Sequence, residues 1–348
     1  MLTKQDTKVL KGVSILIMIW LHVFLYKENV DLLECSIYIG DTPLVTLIRN
    51  FCGICIHLYL FLGGYGLYIT YKNRNLRIPR RVFLLYLNYW IMLLLMLSIG
   101  YFINPSSYPG SVSKFILNFM AWDCSYNSTW WFLFPYILII ISSKFLFKLL
   151  DKYGGLYLFV FTYGINLVTS YTISRYGEKY LYDNLLVYIP FLYIHLLNAF
   201  YSGAIFAKYD LFNIIKNRST KLYYKDLSLC LLIMLLVLFK GYITTSVVNI
   251  YVVVVLFVFI YCIDRPQWLD KVLVKLGEGS TDMWYVHAFI CFYFLHDFTY
   301  SLKYPIIAYL FVVICSYVLH IIINTIFSMC KYHIDNNSVR NQINGQRI

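Results

Sequence analysis

The segment Lys11-Gly-Val-Ser-Ile-Leu-Ile-Met-Ile-Trp-Leu-His22 is an apolar run with an ionisable residue at each end. Eleven residues of α-helix turn through about 1100°, close to three full turns, so the two side chains share one helix face. The rise is about 16 Å, roughly half the hydrocarbon thickness of a bilayer. We therefore expect a membrane helix with Lys11 at one edge and His22 near mid-depth. An ionisable group at that depth is costly and usually functional, the alternative being a histidine that bonds a neighbouring helix.

The composition indicates an integral membrane protein. The chain has 348 residues, of which 60% are hydrophobic and only 13% charged, and its mean hydropathy is +0.66. A soluble domain of this length carries more charge on its surface. The 35 tyrosines and 26 phenylalanines fit the two membrane interfaces, where amphipathic rings are favoured. The first apolar run lacks a small-residue cleavage site, so we expect it to be retained.

Apolar runs predict an all-α, polytopic transmembrane bundle of about ten spans. The expected integral-membrane domain covers residues 1–335, followed by a polar cytoplasmic tail at 336–348. The junction between the seventh and eighth spans is short. The spans are expected at 10–26, 44–71, 82–103, 131–150, 155–174, 184–207, 227–243, 245–263, 283–300 and 304–330.

The distribution of charge predicts the orientation of the bundle. Ten spans place both termini on one side, and that side then carries 22 of the 29 basic residues. The first loop on the other side is acidic, with Glu28, Asp31, Glu34 and Asp41. By the positive-inside rule both termini are expected in the cytoplasm. The loop 264–282, expected on the cytoplasmic side, is an exception to this rule, since it carries more acidic than basic residues.

The net charge of +12 is spread over the loops of one side. This distribution favours anionic lipid headgroups and an anionic cytoplasmic cofactor over nucleic acid as partners. The nine cysteines are scattered, and the Cys52-Gly-Ile-Cys55 spacing has no second pair, so no metal site is expected. Cys35 and Cys124 fall in outward-facing loops and could pair.

Four segments together resemble the acyltransferase-3 family of bacterial membrane O-acyltransferases. Lys11 to His22 is similar to the family's Arg-x10-His pattern, and Leu60-Phe-Leu-Gly-Gly-Tyr65 to its Phe-x-x-Ser-Gly-Tyr turn. Ser128-Thr-Trp-Trp-Phe-Leu133 resembles its Leu-Trp-Phe/Tyr-Leu element. Leu276-Gly-Glu-Gly-Ser-Thr-Asp-Met-Trp-Tyr-Val-His287 resembles its Gly-x-x-Ser…Tyr-Leu-(Ile/Val)-His run.

The chain departs from this pattern at three places. Lys11 replaces an arginine and so offers a point charge instead of a bidentate fork. Gly63 stands where a serine is common. The Arg77-Ile-Pro-Arg80 spacing matches the family's Arg-x-x-Arg, but Arg81 allows a second register.

The resemblance implies transfer of an acetyl or similar acyl group from cytoplasmic acyl-CoA, the donor substrate, to a hydroxyl of a surface or secreted carbohydrate. His22 is the expected base, because imidazole titrates in the useful range. Lys11 is expected to polarise the thioester carbonyl or hold a phosphate. Lys72, Arg77, Arg80 and Arg81 are expected to bind the acyl-CoA phosphates, although a basic loop also serves as a topology anchor. Direct transfer and an acyl-enzyme are both open, and no Gly-x-Ser-x-Gly motif occurs.

Trp130, Trp131 and His287 are the expected acceptor-binding residues. The two tryptophans would stack on a sugar ring, with a place in the aromatic belt as the alternative. Asp282 precedes His287 by five residues, so a helix-stabilising contact between them is equally compatible with the sequence. His57 and His195 are also intramembrane, and each is expected to bond a neighbouring helix, with membership of a relay as the alternative.

The expected location is the bacterial cytoplasmic membrane, with lipids and separate polysaccharide-assembly proteins as possible partners. A transporter or flippase of lipid-linked sugar is the alternative function. It would more often show matching pairs of broken helices, and none is evident in the sequence. A non-catalytic membrane sensor is the third class, for which changes at His22 or Lys11 would alter abundance alone.

Overall fold

The structure, a computed structural model, describes residues 1–219 and 224–345, with side chains described as far as residue 334. Two short strands, β1 (Tyr38–Ile39) and β2 (Thr42–Pro43), pair antiparallel. The α-helices are α1 (Lys4–Val23), α2 (Lys27–Asp31), α3 (Leu44–Cys52), α4 (Cys55–Lys72), α5 (Ile78–Ile103), α6 (Val112–Phe119), α7 (Leu133–Tyr153), α8 (Gly155–Tyr176), α9 (Leu185–Lys208), α10 (Leu211–Ser219), α11 (Lys225–Tyr242), α12 (Asn249–Cys262), α13 (Gln267–Ala288), α14 (His296–Ser301) and α15 (Pro305–Gly345).

The all-α polytopic architecture expected from the sequence is confirmed. The spans predicted at 10–26, 227–243 and 245–263 overlap α1, α11 and α12, which are shorter or carry more charge. The span predicted at 283–300 instead covers the last residues of α13, a π-helical segment at Phe289–Phe294 and α14, because α13 already begins at Gln267, inside the expected loop 264–282. The count of ten and the side of the termini stay predictions. Six helical segments of the described residues are long and apolar enough to cross a membrane: Leu44–Lys72, Ile78–Ile103, Ser128–Tyr153, Gly155–Leu181, Leu185–Lys208 and Pro305–Ile334.

The expected polar tail lies at the limit of what the structure describes. The backbone of α15 continues as helix to Gly345, and residues 346–348 lie outside the described residues. Cys35 and Cys124, which could have paired, are both free thiols. Burial raises the pKa of the Cys124 thiol to about 12, which makes it a poor nucleophile at neutral pH.

Helix α1 begins at a capping box and packs along α13. The Thr3 hydroxyl accepts a hydrogen bond from the Asp6 N–H at 3.0 Å, and the Asp6 carboxylate accepts one from the Thr3 N–H at 2.9 Å. These two bonds satisfy N–H groups that a helix start otherwise leaves unpaired. The helix therefore has a fixed start, from which the positions of Lys11 and His22 follow.

Two glycines allow α1 and α13 to approach backbone to backbone. A methyl group at Gly12 would overlap the carbonyl of Leu273, and one at Gly277 would overlap the carbonyl of Lys8. The Lys8 ammonium also donates to Glu278 at 2.6 Å across the same contact. The two helices run parallel, so this contact fixes the register in which their later residues meet.

The other end of α13 is held by hydrogen bonds to the segment before α7, where Ser128–Phe132 forms a 3-10 turn. The Trp284 indole N–H donates to the Thr129 carbonyl at 3.2 Å. The Tyr285 carbonyl accepts from the Trp130 indole at 3.0 Å and from the Asn127 amide at 3.2 Å. Directly beyond, α13 passes into a π-helical segment, Phe289–Phe294, a geometry frequent at functional sites.

Candidate active site

A cavity of about 520 Å³ lies among α1, α4, α5, α7, α13 and α15. It follows α1 from Thr7 to Met18, a rise of about 17 Å. We call the end near Thr7 and Arg81 the basic end, and the end near Met18 and Trp284 the histidine end. Apolar walls combined with a few polar groups are typical of small-molecule sites.

Two cations reach the basic end of this cavity. Lys11 projects from the second turn of α1, and Arg81 from the first turn of α5, where Pro79 preorganises the helix start. Across residues 1–219 and 224–334, no hydrogen bond or ion pair engages either side chain. Glu278 also lines the cavity, but its carboxylate pairs with Lys8. The basic end therefore offers two positive charges to an anionic ligand.

The remaining expected donor-binding residues lie outside the cavity lining. Arg77 caps the start of α5 and is exposed, as is Arg80, three residues further on. Lys72 belongs to a different depression, where its ammonium pairs with Asp151 at 2.9 Å and lies over the Tyr68 ring. The cavity thus favours Lys11 and Arg81 among the predicted cations.

A buried polar triad lies in the cavity wall. The Asp282 carboxylate accepts from the Asn88 amide and pairs with His320 Nδ1, both at 2.5 Å. Asp282 and His320 are nearly inaccessible, at 6% and 8% exposure. The sequence suggested a contact between Asp282 and His287, but the partner of Asp282 is His320 on α15.

His22 and His287 meet just behind the histidine end. His22 Nδ1 lies 3.0 Å from His287 Nε2 and 2.9 Å from the Met18 carbonyl. His287 Nδ1 lies 2.8 Å from the Trp284 carbonyl and 3.2 Å from that of Met283. Since Met18 and Trp284 themselves line the cavity, the pair is separated from it by about one helical turn.

His22 stands at the end of its helix, and its expected depth in the membrane stays a prediction. It lies in the last turn of α1, one residue before the helix ends at Val23, and it is half-buried. The ring of Phe292 lies edge-on to it, and beyond Phe292 stands the exposed Tyr26. His287, in contrast, is fully buried. One histidine therefore has an accessible face and the other is entirely enclosed.

The two tryptophans expected at the acceptor site differ in burial. Trp130 is 1% exposed, and its ring packs edge-on against Tyr89 and in a tilted arrangement against Phe289. This packing and the hydrogen bond to the Tyr285 carbonyl explain why Trp130 is buried. Trp131, in contrast, is half-buried beside Phe132. The sugar-stacking role of both stays a prediction.

Gly63, which replaces the family's common serine, lines the cavity opposite Tyr136. A Cβ at Gly63 would lie 2.9 Å from the Tyr136 hydroxyl, so the tyrosine occupies the space that a serine side chain would need. A Cβ at Gly66, one turn further on, would meet no heavy atom within 4 Å. The cavity is open at Gly66 and filled at Gly63.

His57 and His195 lie outside the cavity lining. His195 Nδ1 bonds the Thr169 hydroxyl at 2.9 Å, and its carbonyl accepts from Asn166 at 3.0 Å. The residues that the sequence did not single out are His320 and Asn88. His320 carries the same signal as His57, an ionisable group in an apolar run, but its pairing with Asp282 depends on helix packing that no local pattern encodes.

The fold and the site define an all-α multi-pass membrane protein. Its cavity is lined by two cations at one end, and a histidine pair lies behind the other end. Residues 6–328 match the family model described as an acyltransferase domain. The chain therefore belongs to the acyltransferase-3 family, and it is a membrane acyltransferase by that membership. No curated protein and no solved structure matches it.

Proposed function

We propose that this protein moves an acetyl or similar acyl group from cytoplasmic acyl-CoA to a hydroxyl of a surface or secreted carbohydrate, in the cytoplasmic membrane of a bacterium. The observation that supports this most is the order of groups along one cavity. Two cations without partners in the described residues stand at its basic end, and the His22–His287 pair lies behind its other end. The family membership supplies the reaction class.

The donor would enter from the basic end. The phosphates of acyl-CoA need positive charge, and Lys11 and Arg81 supply it with no competing acid paired to them. Arg77 and Arg80, exposed at the start of α5, would attract the same anion as it approaches. The narrow pantetheine arm fits a cavity whose walls mix apolar groups with amides such as Asn88 and Asn324.

The acceptor would approach from the opposite end. His22 presents its accessible face there, and Tyr26 and Tyr293 are exposed nearby. Aromatic rings at such a place can stack on a sugar ring. A donor in the cavity and an acceptor beyond the helix end would then meet at His22, about 6 Å past Met18 along α1.

The reaction is a single displacement at the thioester carbon. His22 takes the proton of the acceptor hydroxyl while its oxygen bonds to the carbonyl carbon. The carbon–sulfur bond breaks, and the CoA thiolate leaves with the proton returned from His22. Direct transfer is proposed because, in the described ranges 1–219 and 224–334, no serine or threonine hydroxyl bonds either histidine.

The donor half of the proposal is tested by thermal unfolding of the purified protein in detergent with acetyl-CoA. A ligand at a hundred times its Kd stabilises the folded state by about 2.7 kcal/mol. We expect stabilisation that Lys11→Met and Arg81→Met both weaken. Absence of stabilisation by acetyl-, propionyl- and longer acyl-CoA would contradict the proposal and favour a flippase.

A further inference from the structure

We infer that His287 is a positioning residue, which holds His22 in the tautomer that leaves its Nε2 lone pair free. The inference rests on the proposed function for its catalytic meaning, since a base needs that lone pair. His287 is therefore assigned a place behind the base instead of a contact with the acceptor. The assignment follows from the four acceptor contacts of the pair.

The hydrogen-bond chain starts at α13. His287 Nδ1 faces two backbone carbonyls, Trp284 at 2.8 Å and Met283 at 3.2 Å. A carbonyl can only accept, so this nitrogen carries the proton. In a neutral ring the other nitrogen, Nε2, then bears a lone pair. That lone pair is aimed at His22.

The chain continues to His22. Its Nδ1 lies between the His287 Nε2 lone pair at 3.0 Å and the Met18 carbonyl at 2.9 Å. Both neighbours are acceptors, so Nδ1 of His22 is the donor and its Nε2 is the unprotonated nitrogen. Each other assignment places two protons or two lone pairs face to face.

The surroundings keep His287 in this role. It is fully buried, and the bonds of Trp284 to Thr129 and of Tyr285 to Trp130 hold the preceding turn of α13 in place. His22, by contrast, is only half-buried, so its free Nε2 is the nitrogen that a hydroxyl can approach. His287 has no such opening.

The contact between His22 and His287 also stabilises His22 after it has taken the acceptor's proton. Protonation at Nε2 makes His22 a cation, and its Nδ1–H then forms charge-assisted bonds to His287 and Met18. A carboxylate performs this orienting role in the Ser-His-Asp triad. Here the neutral imidazole of His287 performs it, so the His22–His287 pair changes from neutral to a charge of +1 when His22 takes the proton.

Two substitutions separate positioning from structure. His287→Gln places an amide oxygen near the former Nε2 and keeps an acceptor for His22. His287→Asn has a shorter side chain, whose amide stands near the former Nδ1, so it leaves His22 without this partner. The assay follows radiolabelled acetyl transfer from acetyl-CoA to the host envelope fraction, with stabilisation by acetyl-CoA as the folding control.

We expect His287→Asn to lower kcat on the order of 100-fold while KM for acetyl-CoA stays within about threefold. His287→Gln should recover most of kcat. The tautomer itself is read by nitrogen NMR of histidine-labelled protein, with His22→Asn to assign the signals. Wild type should show His22 protonated at Nδ1, and His287→Asn should show a mixture of tautomers.

Equal kcat in His287→Asn and wild type, or a wild-type His22 protonated at Nε2, would overturn the inference. Equal loss of activity in both variants, with the His22 nitrogen signals of the folded protein unchanged, would reduce His287 to a packing role. The NMR result does not depend on the reaction. A wild type that binds no acyl-CoA would therefore defeat the proposed function and leave the tautomer assignment standing.

Discussion

Gly12 of α1 and Gly277 of α13 bring two parallel helices into backbone contact, ten residues before His22 and His287 respectively. Equal spacing along parallel helices carries the register of the glycine contact to the histidine pair, about 15 Å away. The glycines thus position a site that they do not touch. Close backbone approach through small residues is a general means of packing membrane helices.

Alanine at either glycine should destabilise the protein and separate the histidines. Each added methyl would overlap a backbone carbonyl, that of Leu273 or of Lys8, and a backbone cannot move aside as a side chain can. Overpacking of this kind typically costs about 1–3 kcal/mol. Thermal unfolding in detergent measures the loss of stability, and acyl transfer should fall with it.

Gly164→Ala is the matched control for this prediction. Gly164 is also a mid-helix glycine, but an added Cβ would meet no heavy atom within 4 Å. Alanine there should be neutral or slightly stabilising. Equal stability of Gly12→Ala and Gly164→Ala would show that α1 and α13 are not in backbone contact.

Removing a cation from the basic end should weaken donor binding. Lys11→Met and Arg81→Met each lose a bond between charged groups, worth about 1.5–3 kcal/mol, so KM for acetyl-CoA should rise about 10- to 100-fold. Lys11→Arg, which restores the family's residue, should keep KM near that of wild type. Steady-state kinetics over a range of acetyl-CoA concentrations measures the effect.

Lys72→Met serves as the comparison, because this ammonium pairs with Asp151 away from the cavity. The KM of Lys72→Met for acetyl-CoA should equal that of wild type. A rise in KM at Lys72 with none at Lys11 would move the donor site to the depression beside Lys208.

Filling the cavity from one wall should exclude the donor without unfolding the protein. A leucine at Gly66 begins in open space and projects into the cavity between α4 and α5. Gly66→Leu should therefore abolish stabilisation by acetyl-CoA while the unfolding temperature of the unliganded protein is kept. Gly164→Leu makes the same chemical change on α8, outside the cavity, and should bind acetyl-CoA normally. Normal binding by Gly66→Leu would place the donor elsewhere.

Breaking the buried Asp282–His320 pair should be far more costly than breaking a surface pair. His320→Leu leaves a buried carboxylate with only Asn88 as partner, and loss of one member of such a pair typically costs about 3–5 kcal/mol. The double variant Asp282→Leu/His320→Leu should recover part of that loss. Chemical denaturation of wild type, the single variants Asp282→Leu and His320→Leu, and the double variant gives the coupling energy between the two positions.

The exposed Lys225–Asp264 pair is the reference for that comparison. The Lys225 ammonium, hydrogen-bonded at 2.6 Å, holds the pKa of the Asp264 carboxyl below its usual value. A depressed carboxyl pKa stabilises the fold at neutral pH, and the stabilisation is lost as the pH falls through the folded-state pKa. Asp264→Asn should cost no more than about 1 kcal/mol at pH 7. A larger loss than at His320 would contradict the assignment of the buried triad.

Much of the fold could be predicted from the sequence, because apolar runs of span length are a direct consequence of the lipid environment. The helical face shared by Lys11 and His22 followed from helix geometry, and both lie at the cavity or its end. The pairing of His22 with His287 did not follow, because it depends on the register between two helices 265 residues apart in sequence.

The polar triad shows the same limit. Asp282 and His320 each stand out as ionisable residues in apolar surroundings, but nothing local says that they meet each other. In the basic loop, the sequence predicted the same donor-binding role for every cation. The packing of the helices distinguishes them, because Arg81 lines the cavity whereas Lys72 pairs with Asp151. Sequence supplied the candidates, and helix packing selected among them.

The most direct test of the central claim is the O-acetyl content of the host's surface polysaccharide in a deletion strain complemented at matched protein levels. Wild type should restore acetyl groups that the deletion removes, and so should His195→Gln, which changes a histidine bonded to Thr169 outside the cavity. His22→Gln should not. Acetylation that is unchanged by deletion, or fully restored by His22→Gln, would contradict acyl transfer at His22.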